Sequence, residues 1–598
     1  MTEQQKNEDR GAQETGRGSH AASQNKSAKG QKKQQRKGHA KGKAQDAAAQ
    51  KQSGAKSKKS DKPAKKKDAA KKSKDAKGTK DVENGNAAKQ AASGKKTAQN
   101  TRKASDGKAG EKAENGNHRG GRRRRTQYRR HVNLEQKRPE LSRGAAAGNG
   151  ENLAAARRRS LIDPARRHFM SPEKDPDAVL KVIPLGGLDA IGKNMTVFEC
   201  GDDIVLDDAG CMFPDDNHPG IDLILPDYSY LLQNAEKLRG IVITHGHEDH
   251  TGALPYVMKD LDCEVPIYGT KMTLGLIEGK FKEHHVKNAK LIEIKPGQSI
   301  KMGCFTANFF AVNHSIPGSV GIFLNSPAGN VLHTGDFKLD QTPIDGITTD
   351  FGAIAEYSRI GVDLLMSDST NANIPTFTPS EAEVGKVLNR IIAQATGRVV
   401  IASFASHIHR MQQICDAAIA NGRKVVVTGR SMVQNTDIAR RLGYLHISDD
   451  NLLDAYYMKD VPPEQVVVMC TGSQGEPLSA LARIASGNHK TISIEKGDTV
   501  IISASPVPGN EKAVTNIMNL LSKIGADVWD KKRARVHVSG HAGAEELKIM
   551  LSLAKPKAFM PVHGEATHLR AHARLAEATG VPTDNVFICE NGESLELT

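Results

Sequence analysis

Three histidines and two acidic residues occupy six consecutive positions directly after an apolar, β-branched run. The stretch reads T-H-G-H-E-D-H, and its H-x-H-x-D-H pattern is formed by His245, His247, Asp249 and His250. Imidazole nitrogens and carboxylate oxygens are ligands that suit zinc or manganese. A tight turn after a strand can direct alternate side chains to two neighbouring ions. The stretch therefore predicts part of a two-metal catalytic centre.

Four ligands in one turn do not complete such a centre, so further ligands must come from other loops. Three candidates, each directly after an apolar strand-like run, are His314 in AVNHSIPGS, Asp336 in LHTGDFK and His563 in MPVHGE. A single histidine at a strand end is more often a hydrogen-bonded structural residue. The coincidence of all three with the H-x-H-x-D-H turn favours a metal centre, because buried unpaired carboxylates and imidazoles are costly.

The elements that must position these residues are short strands, which begin near Asp177. From residue 380 the pattern changes: TPSEAEVGKVLNRIIAQAT predicts an amphipathic helix after a Ser/Thr-x-x-Glu start, and strand RVVIASF, helix HRMQQICDAAIANG and strand KVVVTG follow. Such alternation predicts a parallel sheet. Histidines return at strand ends in RVHVSGHAG and AFMPVHGE. We therefore predict a β-rich hydrolase-like domain, an inserted α/β domain and a return to the first.

The chain has a net charge of +16, and its excess of positive charge lies in the first 170 residues, which hold 46 Lys and Arg against 17 Asp and Glu. The other residues hold 39 Lys and Arg against 52 Asp and Glu and are therefore acidic overall. With Tyr128 and Phe169 as its only aromatic residues, the segment 1–170 cannot bury enough apolar surface to offset the entropy of ordering. Disorder is therefore predicted for residues 1–170. The segment is either a sequence-independent tether for a polyanion or a solubilising spacer.

The first ten residues contain no apolar signal-peptide core, and no later run approaches the roughly 20 apolar residues of a membrane helix. The seven cysteines are scattered and never spaced C-x-x-C, which argues against a disulfide framework and a thiolate zinc site. We therefore expect a cytoplasmic protein with no membrane partner.

The order of these motifs resembles that of the metallo-β-lactamase superfamily, which adds an early aspartate that Asp208 in LDDAG matches. Asp336 and His563 are 227 residues apart, which leaves room for an inserted domain such as that of the β-CASP nucleases. Among these nucleases, GGLDAIGKNM, THGHEDHTGALPY, HTGDFKLDQTP, SFASHIHRMQQ and TGSQGEP are together similar to the bacterial ribonuclease J family. The resemblance covers roughly residues 177–598.

The resemblance implies an α/β fold: a metallo-β-lactamase αββα sandwich with an inserted β-CASP α/β domain, preceded by the disordered basic tail. The expected segments are the tail at 1–170, the first part of the metallo-β-lactamase domain at 171–380, the β-CASP domain at 381–535 and the return segment at 536–598.

The resemblance also implies the roles of site residues. One ion would be held by His245, His247 and His314, the other by Asp249, His250 and His563, with Asp336 bridging both. Asp208, and Asp368 in LLMSDSTNA, would hold the ligand loops through hydrogen bonds. Hydroxide formed between the ions would attack phosphorus, Asp249 would orient it, and His541 in HVSGHAG would stabilise or protonate the departing 3′ oxygen. A structural role is the alternative for His541.

Small polar loops are candidates for contacts with RNA phosphates. One loop, whose backbone amides and hydroxyl could approach a phosphate, consists of His537, Val538, Ser539, Gly540 and His541. Ser403 and Ser406 in SFASHIHR, and Ser473 in TGSQGE, have the same character at predicted strand ends, where ligands usually bind α/β sheets. An ordinary turn is the alternative for any one of these loops.

The implied function is a metal-dependent ribonuclease with 5′–3′ exonuclease and endonuclease activity, acting in RNA maturation, including that of rRNA, and in mRNA decay. Its cofactors would be two divalent ions per subunit, zinc first, with manganese or magnesium as alternatives. Its substrate would be single-stranded RNA, preferably with a 5′ monophosphate. A β-CASP DNA nuclease and a non-catalytic RNA-binding scaffold are the alternative functions.

The resemblance further implies a homodimer or higher homo-oligomer, and other RNA-decay proteins as partners. The chain ends 35 residues after His563, which leaves no room for the small C-terminal domain that many relatives carry. One possible interface of such an assembly is therefore expected to be missing.

Overall fold

The computed structural model describes residues 172–214, 218–507 and 509–598, so the predicted disorder of residues 1–170 lies outside the described residues. Nine strands come first: β1 (Leu180–Gly186), β2 (Met195–Cys200), β3 (Asp203–Asp207), β4 (Leu238–Val242), β5 (Val265–Gly269), β6 (Ala289–Glu293), β7 (Ser299–Met302), β8 (Phe305–Ala311) and β9 (Val320–Asn325). The others are β10 (Asn330–His333), β11 (Leu364–Asp368), β12 (Val399–Ala402), β13 (Lys424–Thr428), β14 (Val466–Cys470), β15 (Thr499–Ile502), β16 (Asp527–Trp529), β17 (Ala558–Val562) and β18 (Leu595–Leu597).

The α-helices of the same ranges fall into two groups along the chain. Those before the third sheet described below are α1 (Ser229–Gln233), α2 (Glu248–Thr251), α3 (Leu254–Leu261), α4 (Lys271–His284), α5 (Phe351–Ile360) and α6 (Ala382–Gln394). The later ones are α7 (Ile408–Ala420), α8 (Arg430–Leu442), α9 (Ala480–Ala485), α10 (Glu511–Ile524), α11 (Ala544–Ala554) and α12 (Ala566–Ala578). None of the described helices is both long and apolar enough to cross a bilayer.

The strands form three sheets. The first has the order β18-β1-β2-β3-β4-β5-β6 and the second the order β17-β11-β10-β9-β8-β7, and both mix parallel with antiparallel pairs. The third, β13-β14-β12-β15-β16, is wholly parallel. β17 and β18 follow the third sheet in sequence but pair with strands of the other two. The chain therefore leaves the first two sheets, builds the third and returns.

The first two sheets pack face to face, with helices on their outer sides. Val205 of β3 faces the second sheet, whereas its neighbours Ile204 and Leu206 face α3 and α4, because successive strand side chains point to opposite faces. The outer side of the second sheet is covered by α5 and α11, through residues such as Ile354 and Leu547. This arrangement of layers confirms the predicted αββα sandwich.

The third sheet is buried on both faces. Val399 and Ile401 belong to a core shared with α6, α7 and α8, whereas Val400 and Ala402 belong to a second core shared with α9 and α10. Parallel strands covered on both sides read as continuous apolar runs, and VVIA and VVVMC are such runs. The predicted alternating α/β insert is therefore confirmed.

The predicted helix α6 is present, and the serine of its Ser380-x-x-Glu383 start accepts a hydrogen bond from the backbone N–H of Ala382 at 3.2 Å. The helix begins at Ala382, and Glu381 in the N-cap position makes no capping hydrogen bond with its side chain. The Glu381 carboxylate is instead bound by the guanidinium of Arg410, with an Nε to Oε1 distance of 2.6 Å. A buried guanidinium requires a carboxylate more strongly than an exposed helix terminus does, because an unpaired buried charge is costly.

Candidate metal centre and active site

The seven predicted ligands follow the carboxyl ends of β4, β8, β10 and β17, and the structure brings them together in two groups. The first group is His245, His247 and His314, and the second is Asp249, His250, Asp336 and His563. Within each group one ligand atom per residue lies within 4.8 Å of the others. Strands from both sheets of the sandwich therefore end at one shared site.

The three imidazoles of the first group point nitrogens at one another. The Nδ1 atom of His247 lies 3.0 Å from Nε2 of His245 and 3.1 Å from Nε2 of His314. Nitrogens bound to one tetrahedral zinc ion at 2.0–2.1 Å would be about 3.3 Å apart. A single ring nitrogen can donate to only one of its two neighbours, so a shared cation satisfies all three lone pairs better than hydrogen bonds can.

Asp336 connects the two groups. Its Oδ2 atom lies 3.3 Å from Nε2 of His250 and 3.7 Å from Nε2 of both His245 and His314. In the second group, Nε2 of His563 is 3.3 Å from Oδ2 of Asp249. Both Asp336 Oδ2 and His563 Nε2 are buried and have no hydrogen-bond partner among the described residues. These unpartnered atoms and the nitrogen and oxygen donor set fit divalent ions such as zinc or manganese.

The protonation of the first group suits metal binding. Burial lowers the pKa of His245 and His314 well below the ordinary value, and that of His247 to about 4. Burial raises the pKa of Asp336, but the positive charges of His563 and His250 outweigh it, so its pKa is well below the usual range. The three imidazoles of the first group are therefore neutral and the Asp336 carboxylate ionised near pH 7, which are the forms that bind metals.

Asp208 fixes the orientation of His250. Its carboxylate accepts hydrogen bonds from the backbone N–H and the hydroxyl of Thr244, both at 2.8 Å, and its Oδ2 lies 2.6 Å from Nδ1 of His250. Because a carboxylate accepts, His250 carries a proton on Nδ1 and turns Nε2 towards the ligand group. The Nδ2 atom of Asn194 also lies 3.1 Å from that Nε2. Asp208 has φ 58° and His563 φ 55°, conformations that cost energy and are common at functional sites.

Asp368 holds His541 in a similar way. Its Oδ2 lies 2.8 Å from Nδ1 of His541, and its Oδ1 accepts from the backbone N–H and hydroxyl of Thr370 at 2.9 and 2.7 Å. Burial lowers the pKa of His541, but the Asp368 carboxylate outweighs it and the pKa is raised. His541 Nδ1 is 3.9 Å from Asp336, so the imidazole stands beside the ligand groups. Its Nε2 has no hydrogen-bond partner among the described residues and can serve a reacting group.

The predicted loop 537–541 lies against the first ligand group. The carbonyl of Gly540 is 2.9 Å from Nδ1 of His314, and a Cβ added to Gly540 would come within 2.8 Å of the His314 ring. Only glycine permits this approach. The side chain of Val538 is buried in the core of the third sheet, and burial lowers the pKa of His537 well below its ordinary value. Val538 therefore has only its backbone to offer a phosphate.

The three predicted serines of the insert lie in loops beyond the carboxyl ends of the strands of the third sheet. Ser403 follows β12 and Ser473 follows β14, two neighbouring strands, while Ser406 precedes α7. The hydroxyl of Ser403 is buried and has no hydrogen-bond partner among the described residues. None of the three serines hydrogen-bonds a candidate metal ligand in the part of the chain that the structure describes.

Sequence reasoning did not single out several residues that hold the site. Asn194, Thr244 and Thr370 bond a candidate ligand or its supporting carboxylate. Asn371 bonds Ser539 and the carbonyl of His541. All four lie in or beside the motifs GKNM, THGH and SDSTNA, and proximity to a motif was the one signal that could have identified them.

A cleft of about 1210 Å³ opens beside His314. The cleft is lined by residues 293–297 and 343–352 and by His409, Gln412 and Tyr444 of the insert. Small-molecule pockets measure roughly 300–1,000 Å³, so this cleft is large enough for part of a polymer.

The sandwich fold, the inserted parallel sheet and the histidine and aspartate centre define a metal-dependent hydrolase of the metallo-β-lactamase class. Family models match in three parts: "Ribonuclease J, beta-CASP domain" at residues 396–521, "Zn-dependent metallo-hydrolase RNA specificity domain" at 531–589 and "Beta-lactamase superfamily domain" at 218–388. Ribonuclease J of Mycolicibacterium smegmatis is 48% identical over 418 residues, which are 70% of this chain and 75% of that protein. The chain belongs to the ribonuclease J family, and it is therefore an enzyme, a metal-dependent ribonuclease of the β-CASP group.

Two further comparisons agree. Ribonuclease J of Thermus thermophilus is 45% identical over 429 residues, which cover 71% of this chain and 75% of that protein. The crystal structure of a protein of unknown function from Enterococcus faecalis V583 superposes with a TM-score of 0.51 at 16% identity, covering 70% of this chain and all of that one. At this identity the second comparison shows the fold alone.

Proposed function

We propose that this chain hydrolyses RNA at the metal centre, with 5′–3′ exonuclease and endonuclease activity, in RNA maturation, including that of rRNA, and in mRNA decay. The observation that carries the proposal is the convergence of two ligand groups on Asp336 with His541 beside them. The cleft next to His314 is large enough to hold part of a polymer beside this centre.

Two divalent ions, zinc first and manganese or magnesium as alternatives, are proposed as cofactors. His245, His247 and His314 would hold one ion, and Asp249, His250 and His563 the other, with Asp336 between them. Divalent ions at such a site lower the pKa of an attacking water and offset the negative charge that develops at phosphorus.

The chain's own side chains supply orientation and a proton. Asp249 is partly exposed; burial raises its pKa, but the charges of His250 and His563 outweigh it and hold the pKa below the usual range. It is therefore an ionised acceptor that can orient a water. His541, held at Nδ1 by Asp368, would give a proton from Nε2 to the departing 3′ oxygen.

Recognition of the RNA is proposed for the loops around the centre. The loop His537, Val538, Ser539, Gly540 and His541, together with Ser403, Ser406 and Ser473, would bind phosphates, and a terminal 5′ monophosphate is the preferred form. A bulky apolar residue at Ser539 is then expected to slow 5′–3′ decay far more than internal cleavage. Equal loss of both activities would place end recognition elsewhere.

Matched RNA and DNA oligonucleotides of one sequence test the choice of substrate. We expect cleavage of the RNA, release of mononucleotides from 5′-monophosphorylated ends, and slower decay when the end carries a triphosphate or is blocked. The β-CASP DNA nuclease remains the alternative enzyme, and faster cleavage of DNA than of RNA would support it.

A homo-oligomeric assembly and a cytoplasmic location are also proposed. A homodimer or higher homo-oligomer, with other RNA-decay proteins as partners, rests on the family resemblance, and light scattering of purified protein tests the first part. A cytoplasmic location is supported by the seven cysteines, all of which are free thiols, as a reducing compartment requires.

A further inference from the structure

Asn371 follows β11 and reaches the loop that carries Ser539 and His541. Its Nδ2 atom lies 2.9 Å from Oγ of Ser539 and 3.0 Å from the backbone carbonyl of His541. A carbonyl oxygen only accepts hydrogen bonds, so the atom that faces it must be the NH₂ group. This contact fixes the orientation of the amide, and the second N–H must therefore donate to Ser539.

The hydroxyl of Ser539 receives a second donor. The backbone N–H of His541 lies 3.2 Å from the same Oγ. A serine hydroxyl has two acceptor lone pairs and one donor hydrogen. Because Asn371 and the His541 N–H occupy both lone pairs, the hydroxyl can act only as a donor towards any further group. No acceptor for that hydrogen is present among the described residues, and the Ser539 side chain is partly exposed.

A donor of this kind suits an anion rather than a cation or another donor. Ser539 stands next to Gly540, whose carbonyl contacts His314 of the metal centre, and two residues before the end of the loop at His541. A phosphate oxygen of RNA bound at that centre accepts hydrogen bonds and never donates when ionised.

We propose that Asn371 is a positioning residue that fixes Ser539 as a hydrogen-bond donor to a phosphate oxygen of bound RNA. This inference rests on the proposed RNA hydrolysis at the metal centre. Asn371 does not itself contact the substrate, and its effect passes through the hydroxyl of Ser539.

The chain contains a matched control in Thr378. Its hydroxyl donates to the same carbonyl of His541, at 2.7 Å, but does not bond Ser539. Thr378→Val therefore removes one hydrogen bond to the His541 carbonyl and leaves the hydrogen bonds of Ser539 unchanged. Asn371→Ala removes a hydrogen bond to that carbonyl and also the hydrogen bond to Ser539.

The test measures KM and kcat on 5′-monophosphorylated RNA, in the wild-type and Ser539→Ala backgrounds. Asn371→Ala should raise KM about five- to tenfold with Ser539 present, as expected when a hydrogen bond to a charged group is weakened. In the Ser539→Ala background it should add less than about twofold, because there is no hydroxyl left to orient. Thr378→Val should have the same effect in both backgrounds. A KM effect of Asn371→Ala that is equally large without Ser539 would overturn the proposal.

Asn371→Asp keeps the shape of the side chain and reverses its hydrogen-bonding character. A carboxylate would accept the Ser539 hydrogen, so KM should rise more than for Asn371→Ala. A purely structural role predicts that the isosteric aspartate is the milder change. If the new charge merely repelled RNA, Asn371→Asp would still have the higher KM in the Ser539→Ala background. If it acts by reversing the hydrogen bond of Ser539, the difference in KM between Asn371→Asp and Asn371→Ala must shrink in that background.

Two further readouts distinguish failure of this inference from misfolding of a variant and from failure of the proposed function. Metal content and the urea midpoint of each variant should equal those of the wild type. If the wild type fails to hydrolyse RNA, the proposed function fails, and anisotropy of a labelled 5′-monophosphorylated oligonucleotide with a phosphorothioate first linkage decides the inference alone. Binding that depends on Asn371 only when Ser539 is present supports it, and binding independent of Asn371 overturns it.

Discussion

Glu381→Gln is expected to destabilise the insert strongly, although Glu381 lies in the connection that precedes α6 and not in the active site. Its carboxylate binds the guanidinium of Arg410 through two contacts, at 2.6 and 2.9 Å. Arg410 is fully buried and also donates to the carbonyls of Ser503 and Val536, at 3.1 and 3.0 Å. The pair therefore joins α6, α7, the end of β15 and the segment just before loop 537–541.

The expected loss follows from the burial of Arg410. Removing one partner of a buried ion pair leaves an uncompensated charge and costs about 3–5 kcal/mol. Burial raises the pKa of Glu381, but Arg410 outweighs it and holds the pKa well below 4.5. An acid whose pKa is lower in the folded than in the unfolded state stabilises the folded state at pH values above its unfolded-state pKa. This stabilisation is lost as the pH falls towards the folded-state pKa. The difference between the two proteins should therefore be constant near neutral pH and shrink below about pH 4.5.

Urea unfolding followed by tryptophan fluorescence measures this loss, because the chain has one tryptophan, Trp529 in β16 of the insert. Asp449→Asn is the matched control: it also removes a carboxylate from an arginine, Arg440, but Asp449 is 90% exposed. Exposed pairs contribute about 0–1 kcal/mol. A loss for Glu381→Gln no larger than that of the control would refute the reasoning.

Three other changes should have separate signatures. Asp208→Asn frees the ring of His250 and should weaken divalent-ion affinity about 10–100-fold by calorimetry, and unchanged affinity would contradict its supporting role. His541→Gln should lower kcat about 10²–10⁴-fold with unchanged metal content, and a normal kcat would exclude it as the acid. Removal of residues 1–170 should weaken RNA binding mainly at low salt, where release of counterions contributes most, without changing the preference for 5′ ends; equal affinities at low salt would favour the spacer interpretation.

The fold was predictable because its signals are local. Continuous apolar runs such as VVIA and VVVMC indicate buried parallel strands, and the polar residues that follow them indicate loops. Both signals involve residues adjacent in sequence. The candidate ligands could be proposed for a similar reason, since each follows an apolar strand-like run in the sequence. That strands of two different sheets bring them to one site is visible only in the structure. The identification of the family came from the resemblance of whole motifs.

The supporting contacts were not predictable, because they join residues distant in sequence. Glu381 and Arg410 both lie in segments that were singled out, yet neither segment indicated that this carboxylate binds a guanidinium 29 residues further on. Asn371 reaches Ser539 across 168 residues. Such pairs depend on how two segments pack, and a single sequence carries no signal of that distance.

The most direct measurement determines metal content and RNA hydrolysis together, for the wild type and for a variant that combines His245→Ala with His247→Ala. Protein purified without added metal and then reconstituted should bind two divalent ions per chain, cleave 5′-monophosphorylated RNA and lose this activity with a chelator. The double variant should bind less metal and cleave no RNA. RNA cleavage by the double variant, or by wild-type protein stripped of its ions, would contradict the assignment of the site.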